Sequence, residues 1–424
     1  MSQTLTFFTT PQLKSLHNGK VRDSYSINSS TRLIAVSDRL SAFDFVLETP
    51  IPNKGAVLNS LSSWWFQQTE HIIANHFIKQ IDPNITLVKE AEPIRVEMVV
   101  RGYLSGSVWR GYEEGERTFS GVSLPDGLTK NSKFNTPVVT PTTKEKSDRP
   151  ISAKELVMEK FVTEEQYSIM HKKALELYTF GQQILEQKGI ILVDTKYEFG
   201  VLNNEIILID EIHTPDSSRF WNKIDYNANP EHARQIDKEF IRQWLIENKV
   251  NGQYRTSLPK EIIDEASKRY IEIYESVTGH KLIVNQALHP KSRICANLFY
   301  HQIIKDGAIA IITDVKQALP FCEKAKAMIE SYGIFSEVRL VKNSNDINLF
   351  LEVYNESVEP AAILFIEENY SEVMEEIAAY SNLPIITSAL DDIAMSENLF
   401  LDIQELLRCL NIYRIREKIL FEEE

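Results

Sequence analysis

The sequence predicts a mixed α and β chain of two or three domains, the last a three-layer α/β domain built on a parallel sheet. Three observations lead there. The chain has 424 residues, more than the ~100–200 of an ordinary domain. Near residue 200 two apolar runs flank a strand-turn-strand signal. From Ala308 onward, β-type and helical segments alternate.

Taken in order, residues 32 to 37 and 94 to 101 are rich in β-branched and apolar residues with partial alternation, and both read as strands ending at polar motifs. Residues 56 to 76 and 164 to 188 carry helical apolar spacing, the second closing at Gly189. The runs Ile190 to Asp194 and Glu205 to Asp210, separated by Gly200 and Asn203-Asn204, predict a hairpin. Period-two geometry then puts Asp194, Lys196 and Glu198 on one face. Helical spacing returns at 231 to 249 and 259 to 277, and Gly279 with the polar stretch at 278 to 293 marks a boundary.

Beyond it come an apolar run at 308, a helix at 316 to 332, a strand at 336 to 341 and a helix near 345 to 356. An apolar run at 361 to 366, a helix near 370 to 381 and the strand-like Pro384-Ile385-Ile386-Thr387 complete the alternation.

Composition excludes several classes. Hydrophobic residues make up 43% and charged residues 25%, ordinary for a globular protein, and no run approaches the ~20 apolar residues of a membrane span. The first residues lack a basic start, an apolar core and a small-residue cleavage site, so no secretory signal is read. Cys295, Cys322 and Cys409 are odd in number and far apart, which argues against a disulfide framework and for a reducing cytoplasm. A net charge of −14 speaks against nucleic acid or anionic membrane as a partner. Anionic ligands then require local basic sites.

Such sites stand in distinctive contexts. Gly19-Lys20-Val21-Arg22-Asp23-Ser24-Tyr25 combines a permissive glycine with two phosphate-compatible cations. It lacks P-loop spacing, and on composition alone a charged β-turn is the more ordinary explanation. Ser37-Asp38-Arg39-Leu40-Ser41-Ala42-Phe43-Asp44 is a polar strand edge followed by Pro52-Asn53-Lys54-Gly55; Asp38 and Asp44 either orient a ligand or cap local backbone. In Val100-Arg101-Gly102-Tyr103-Leu104-Ser105-Gly106-Ser107-Val108-Trp109, guanidinium, hydroxyls and exposed amides suit a phosphate, and a glycine-rich hairpin with Arg101 in a structural salt bridge is the alternative.

Asp194-Thr195-Lys196-Tyr197-Glu198-Phe199-Gly200 and the run from Asp210 to Trp221 carry the most information. Glu198 and Asp210 are hard oxygen ligands of the kind magnesium takes alongside nucleotide phosphates, and Lys196 adds positive charge for phosphoryl transfer. The alternative is a strand ion-pair ladder. His213 has no metal-type neighbour in sequence. The polar loop from Thr140 to Arg149 either closes over ligands or is ordinary surface.

In this order the strings GKVRDSY, SDRLSAFD, PNKG, VVRGYLSGSVW, TPTTK, DTKYEFG and DEIHTPDSSRFW resemble the motif series of SAICAR synthetase over about residues 12 to 290. The resemblance implies an α+β, ATP-binding ligase of two lobes over residues 1 to 292. The implied reaction joins the carboxylate of carboxyaminoimidazole ribonucleotide (CAIR) to L-aspartate, with ATP and Mg2+, in purine biosynthesis. By motif position it implies that Lys20 and Arg22 lie in the nucleotide region and that Glu198 and Asp210 contact magnesium or nucleotide. It further implies that Arg101, Ser107 and Arg219 bind the ribonucleotide phosphate and that Lys196 contacts the reacting phosphate or carboxylate. Asp38, Ser41 and Lys144 are implied to hold aspartate. After TPTTK an expected acidic, His-Asp-containing stretch is replaced by Glu-Lys-Ser-Asp-Arg-Pro. A homo-oligomer is a family-level expectation.

Residues 293 to 424 are expected to form a flavodoxin-like α/β domain with a C-terminal helix, and about residues 305 to 395 of it are similar in element order to the AIR carboxylase family. Its phosphate loop is replaced by Thr313-Asp314-Val315-Lys316-Gln317, its Ser-Ala-His-Arg string by Lys342-Asn343-Ser344-Asn345-Asp346, and its third glycine-rich loop by Glu367-Glu368-Asn369-Tyr370. Loss of close backbone approach and of a proton-transfer histidine implies a domain without carboxylase activity. Competing readings are another ATP-dependent kinase or ligase, a bifunctional enzyme, and a catalytically silent regulator.

Overall fold

The computed structural model describes residues 4–331 apart from 44, 146–147, 234, 236–237, 287–288, 306 and 315, and beyond them 333–341, 346, 351–354, 361–367, 377, 383 and 385–389. The expected helices near 345 to 356 and 370 to 381 fall largely outside the described residues. Asp44, Val315, Lys342 to Asn345, Glu368 to Tyr370, Cys409 and the C-terminal helix fall wholly outside them. The chain divides into two compact units: residues 1–7 with 16–286, and residues 8–15 with 287–424.

The first unit contains two main sheets. In one, Arg22–Ser26, Thr31–Val36, Ile85–Lys89 and Phe77–Asp82 pair antiparallel in that order. The helix Lys54–Thr69 packs on this sheet, burying Val57, Leu58, Leu61, Trp65 and Phe66. It stops short of the expected residue 76. The Asn75 side chain donates to the Phe66 carbonyl at 2.9 Å and the His76 amide to Leu208 at 3.0 Å, so the chain leaves the helix to join a sheet edge.

The other sheet has six strands. Its centre is Ile190–Leu202, paired antiparallel with Glu92–Tyr103 on one side and with both Glu205–Ile209 and Ser218–Asn222 on the other. The expected hairpin forms, but its paired strands are Glu198 to Leu202 against Glu205 to Ile209, turning at Asn203 and Asn204 with φ 52 and 66. Ile190 to Asp194 pairs instead with Ser218–Asn222. The helix Glu164–Gln187 begins with a capping box at Thr163 and Gln166 and covers one sheet face.

The expected helix at 231 to 249 is shorter than the spacing suggests. Asn229 caps a 3-10 turn at Pro230–His232, Gln235 bridges Trp221, and the α-helix runs only over Glu239–Glu247. Lys260–Thr278 then ends at Gly279, whose φ of 76 suits a helix stop.

The second unit holds a parallel sheet in the order Phe335–Leu340, Ala308–Thr313, Ala361–Glu367 and Ile385–Ala389. Every residue of Ala308–Thr313 is buried. Its alternate side chains enter two separate cores, Ile309 and Ile311 against the helix Leu319–Ser331, and Ala310 and Ile312 with Leu351 and Tyr354. That two-sided burial explains the continuous apolar run. Among the described residues no helix is long and apolar enough to cross a membrane.

His213 joins three elements of the first unit. Its ring meets Trp65 edge-on at 4.6 Å, its Nε2 lies 2.6 Å from the Tyr197 hydroxyl, and a Cβ at Gly181 would lie 2.8 Å from its Nδ1. Burial pushes its pKa down to about 3, so the folded ring stays neutral while the unfolded ring gains a proton below about 6.5. Stability is therefore full above pH 6.5 and falls toward pH 3, by up to about 1.4 kcal/mol per pH unit from this group. Chemical denaturation across that range should show the slope in the native chain and a smaller slope in His213→Gln.

Candidate functional site

One side of Ile190–Leu202 carries charge and the other is core. Thr195, Tyr197 and Phe199 are essentially inaccessible, which leaves Asp194, Lys196 and Glu198 on the opposite side. A register shift between Leu192 and Asp194, with Val193 the extra residue, resets the alternation just before the charges. The neighbouring strand places Arg101 opposite Asp194 and Glu97 opposite Glu198.

At one group, Lys196 Nζ lies 2.6 Å from Glu97 Oε1 and 3.0 Å from Glu198 Oε1, and Lys144 reaches the other oxygen of Glu198. Asp210, at φ 69 just past its strand, pairs with Arg22, which also meets Glu211. Burial and then the charge of Asp210 raise the Glu198 carboxyl to about 7, against the pull of Lys196 and Lys144. Burial acts upward on Asp210 too, but Arg22, Lys196 and Lys144 hold it well below the usual carboxylate range.

Beside Arg22 and Asp210 lies a small cavity lined by the apolar Ile34, Val36, Leu58, Phe66 and Val88 and by polar residues that include Asn59, Ser62, Ser63, Thr86 and Glu211. His76, also on its wall, is pushed by burial to about 3 and is neutral.

A second pocket contains Arg101, Ser107, Lys196 and Arg219 together with Asp194, Asp216, Lys238 and Arg242. Asp194 Oδ2 accepts from Arg219 at 2.5 Å and Ser105 at 3.3 Å, with Arg101 at 3.7 Å. Arg101 also donates to Thr140 Oγ1 at 2.8 Å. Burial lowers Arg101 to about 10 although Asp194 supports its charge. Gly106 has φ +62, and a Cβ there would lie 2.6 Å from the Arg219 guanidinium carbon, so a side chain at this position would displace the arginine.

The structure thus gathers Arg22 with Asp210, Lys196 with Glu198, and Arg101, Ser107 and Arg219 around one pocket. It parts from the expected aspartate group. Both oxygens of Asp38 accept backbone amides, from Leu5 at 2.8 Å and Gly55 at 2.9 Å, and the residue is 3% exposed. Its part is to fix the start of Lys54–Thr69. Ser41 lies in a two-residue strand against Phe45–Val46, and Lys144 is paired with Glu198. Lys20 is exposed at the turn before Arg22.

Sequence reasoning assigned no role to Glu97, Glu211, Lys54, Asp216, Lys238 or Arg242. Lys54, Glu211 and Asp216 stood inside conspicuous strings, whereas Lys238 and Arg242 read only as helix. Among the described residues no group of three or more His, Cys, Asp or Glu is arranged to hold a metal ion. The two carboxylates Glu198 and Asp210 nevertheless have the hard oxygen character of a magnesium site completed by phosphates.

The SAICAR synthetase family model matches residues 15–259. A phosphoribosylaminoimidazole-succinocarboxamide synthase of Flavobacterium psychrophilum is 44% identical over 290 residues, covering 66% of this chain and 92% of that one. The structure is similar to SAICAR synthase from Saccharomyces cerevisiae complexed with SAICAR, at TM-score 0.59 and 36% identity over 65% of this chain and 99% of that one. It also resembles a SAICAR synthetase in complex with ADP, at TM-score 0.50 and 27% identity, over 62% and 98% of the two chains.

Gly106→Ala should push Arg219 from Asp194 and weaken binding of a phosphate-bearing ligand by about tenfold or more, measured by titration calorimetry with the thermal midpoint as control.

Proposed function

The chain belongs to the SAICAR synthetase family, and from that premise we propose how its ion groups carry out the family's reaction. The enzyme ligates CAIR with L-aspartate to give SAICAR, using ATP, in purine biosynthesis. The observation that carries our reading is the single strand Ile190–Leu202, which presents an anion pocket at Asp194 and a carboxylate-ammonium group at Lys196 and Glu198.

A carboxylate resists amines because its charge repels the nucleophile and it offers no leaving group. Transfer of the γ-phosphoryl group to a CAIR carboxylate oxygen gives an acyl phosphate and ADP. The aspartate amine, after losing a proton, attacks the carbonyl, and the carbon–oxygen bond to phosphate breaks as the amide forms. Arg101, Ser107 and Arg219 hold the ribonucleotide phosphate. Lys196, positioned by Glu97, offsets charge on the transferred phosphoryl oxygens, where a preorganised cation is most effective. Arg22, with Lys20 near by, serves the nucleotide.

Glu198 and Asp210 are the proposed holders of Mg2+. When bound, the ion would supply further neutralisation of the nucleotide phosphates. The fit rests on the buried Glu198 and the half-buried Asp210, whose repulsion, added to burial, leaves Glu198 with a pKa of about 7, a cost that a divalent cation relieves. The domain division proposed is a two-lobed ligase over residues 1 to 292 and a flavodoxin-like domain over 293 to 424. That second domain acts in assembly, stability or regulation without carboxylase chemistry. Homo-oligomerisation and a cytoplasmic location complete the proposal.

CAIR labelled with 18O in its carboxylate tests the route. One labelled oxygen per turnover should appear in the released phosphate, only when aspartate and ATP are both present; unlabelled phosphate would rule out the acyl phosphate. Magnesium affinity provides a second check. Because protonated Glu198 cannot ligate, apparent affinity should fall by roughly tenfold per pH unit below about 7, and Glu198→Gln should weaken binding and flatten that dependence.

A further inference from the structure

The start of the chain passes through both compact units. Residues 1–7 and those from 16 onward belong to the first, whereas 8–15 belong to the second together with 287–424. In the first unit the Leu5 amide donates to Asp38 Oδ2 at 2.8 Å and the Asp38 amide to the Leu5 carbonyl at 2.7 Å. In the second, Phe8, Thr10 and Leu13 are buried, and Gln12 commits both donors and the oxygen of its side-chain amide. Its Nε2 donates to the carbonyls of Lys305 at 2.8 Å and Gly307 at 3.2 Å, and its Oε1 accepts from the Lys305 amide at 2.7 Å. These backbone groups stand directly before the buried strand Ala308–Thr313. Burial of Phe8 and Leu13 is non-directional, so it is the three hydrogen bonds of one planar amide that fix where the segment stands.

From this anchor the chain runs into the basic turn at Gly19 and Lys20. Lys14–Asn18 is the outer strand beside Arg22–Ser26, and every one of its side chains is exposed. A strand with no buried face specifies its own register weakly, because sliding it breaks no core contact. The turn beyond it tolerates no slide. The Gly19 amide donates to the Arg22 carbonyl at 2.8 Å, and a Cβ at Gly19 would lie 2.6 Å from that oxygen. A shift of one residue would therefore set a side chain against the carbonyl and carry Lys20 out of place. Arg22 is secured independently, since it pairs with Val36 and the preceding Val21 carbonyl accepts from the Ser37 amide at 3.0 Å. The limb that needs an outside hold is the one bearing Lys20.

We infer that Gln12 is a positioning residue: by fixing the register of Lys14–Asn18 it places Lys20 for the nucleotide, and through it the second unit sets the affinity of the ligase for ATP. This rests on the ligase reading, in which Lys20 serves the nucleotide, and gives the second unit's part in that reaction a physical route.

The test compares full-length wild type, Gln12→Ala, Lys20→Ala and the double variant in the complete reaction, varying ATP, CAIR and aspartate in turn. Gln12→Ala should raise the KM for ATP by about fivefold, while kcat and the KM values for CAIR and aspartate stay within about twofold of wild type. A general loosening of the fold would instead lower kcat or raise all three KM values, and that result would overturn the assignment. With Lys20→Ala already present, Gln12→Ala should add less than about twofold to the KM for ATP, because its effect runs through Lys20. Gln12→Asn draws the amide back by one methylene, should act as Gln12→Ala does, and takes its place if the alanine variant does not fold. An ATP KM that Lys20→Ala raises and Gln12→Ala leaves unchanged, or an equal effect of Gln12→Ala with and without Lys20, would overturn the anchor and leave the ligase reading standing. An ATP KM unchanged in Lys20→Ala would remove the nucleotide role of Lys20 and the anchor with it. Wild-type protein that gives no aspartate-dependent product would overturn the ligase reading itself.

Discussion

The organisation of the first unit depends on holding opposite charges on one side of a strand whose other side is sealed in the core. Tyr197 and Phe199 anchor Ile190–Leu202 from beneath, so Lys196 and Glu198 cannot rotate away without opening the interior. Buried charges survive only when paired, and each here finds a partner from a distant segment: Glu97 from the neighbouring strand, Lys144 from the polar loop, Arg22 from the other sheet. Pairing therefore ties the two sheets together at the place where chemistry requires them to meet.

The same pairing gives the site its responsiveness. Glu198 lies near its titration point because burial and Asp210 oppose its charge while Lys196 and Lys144 favour it. A cation or nucleotide phosphate entering this balance replaces existing partners rather than meeting bare charges. Arg22 is held by Asp210 and Glu211 and Lys144 by Glu198, while Lys196 is shared between Glu97 and Glu198. In the second pocket Lys54 plays a static part, since an inaccessible ammonium cannot exchange partners.

Much of this was legible in residue order. The helix Glu164–Gln187, the turn at Asn203-Asn204 and the two-sided burial of Ala308–Thr313 follow from periodicity and turn chemistry. Lys196, Glu198, Asp210, Arg101 and Arg219 stood out through motif context. What was not legible came from tertiary competition. The sheet-edge bonds of His76 shorten the first long helix, and the Trp221 bridge to Gln235 shortens a later one. The extra residue Val193 splits one apparent strand between two partners. Asp38 looked like a ligand residue because its use by the Leu5 and Gly55 amides is visible only in space. The pair between Lys54 and Asp216 spans 162 residues, and no local pattern announces it.

The central claim is that these ion groups join a ribonucleotide carboxylate to an amino acid at the cost of ATP. Mass analysis of reactions containing ATP, magnesium and CAIR, with and without L-aspartate, tests it most directly. The succinocarboxamide product and an equal amount of ADP should form only when aspartate is present. ADP release without that product would contradict the account and assign the phosphoryl group to a different acceptor.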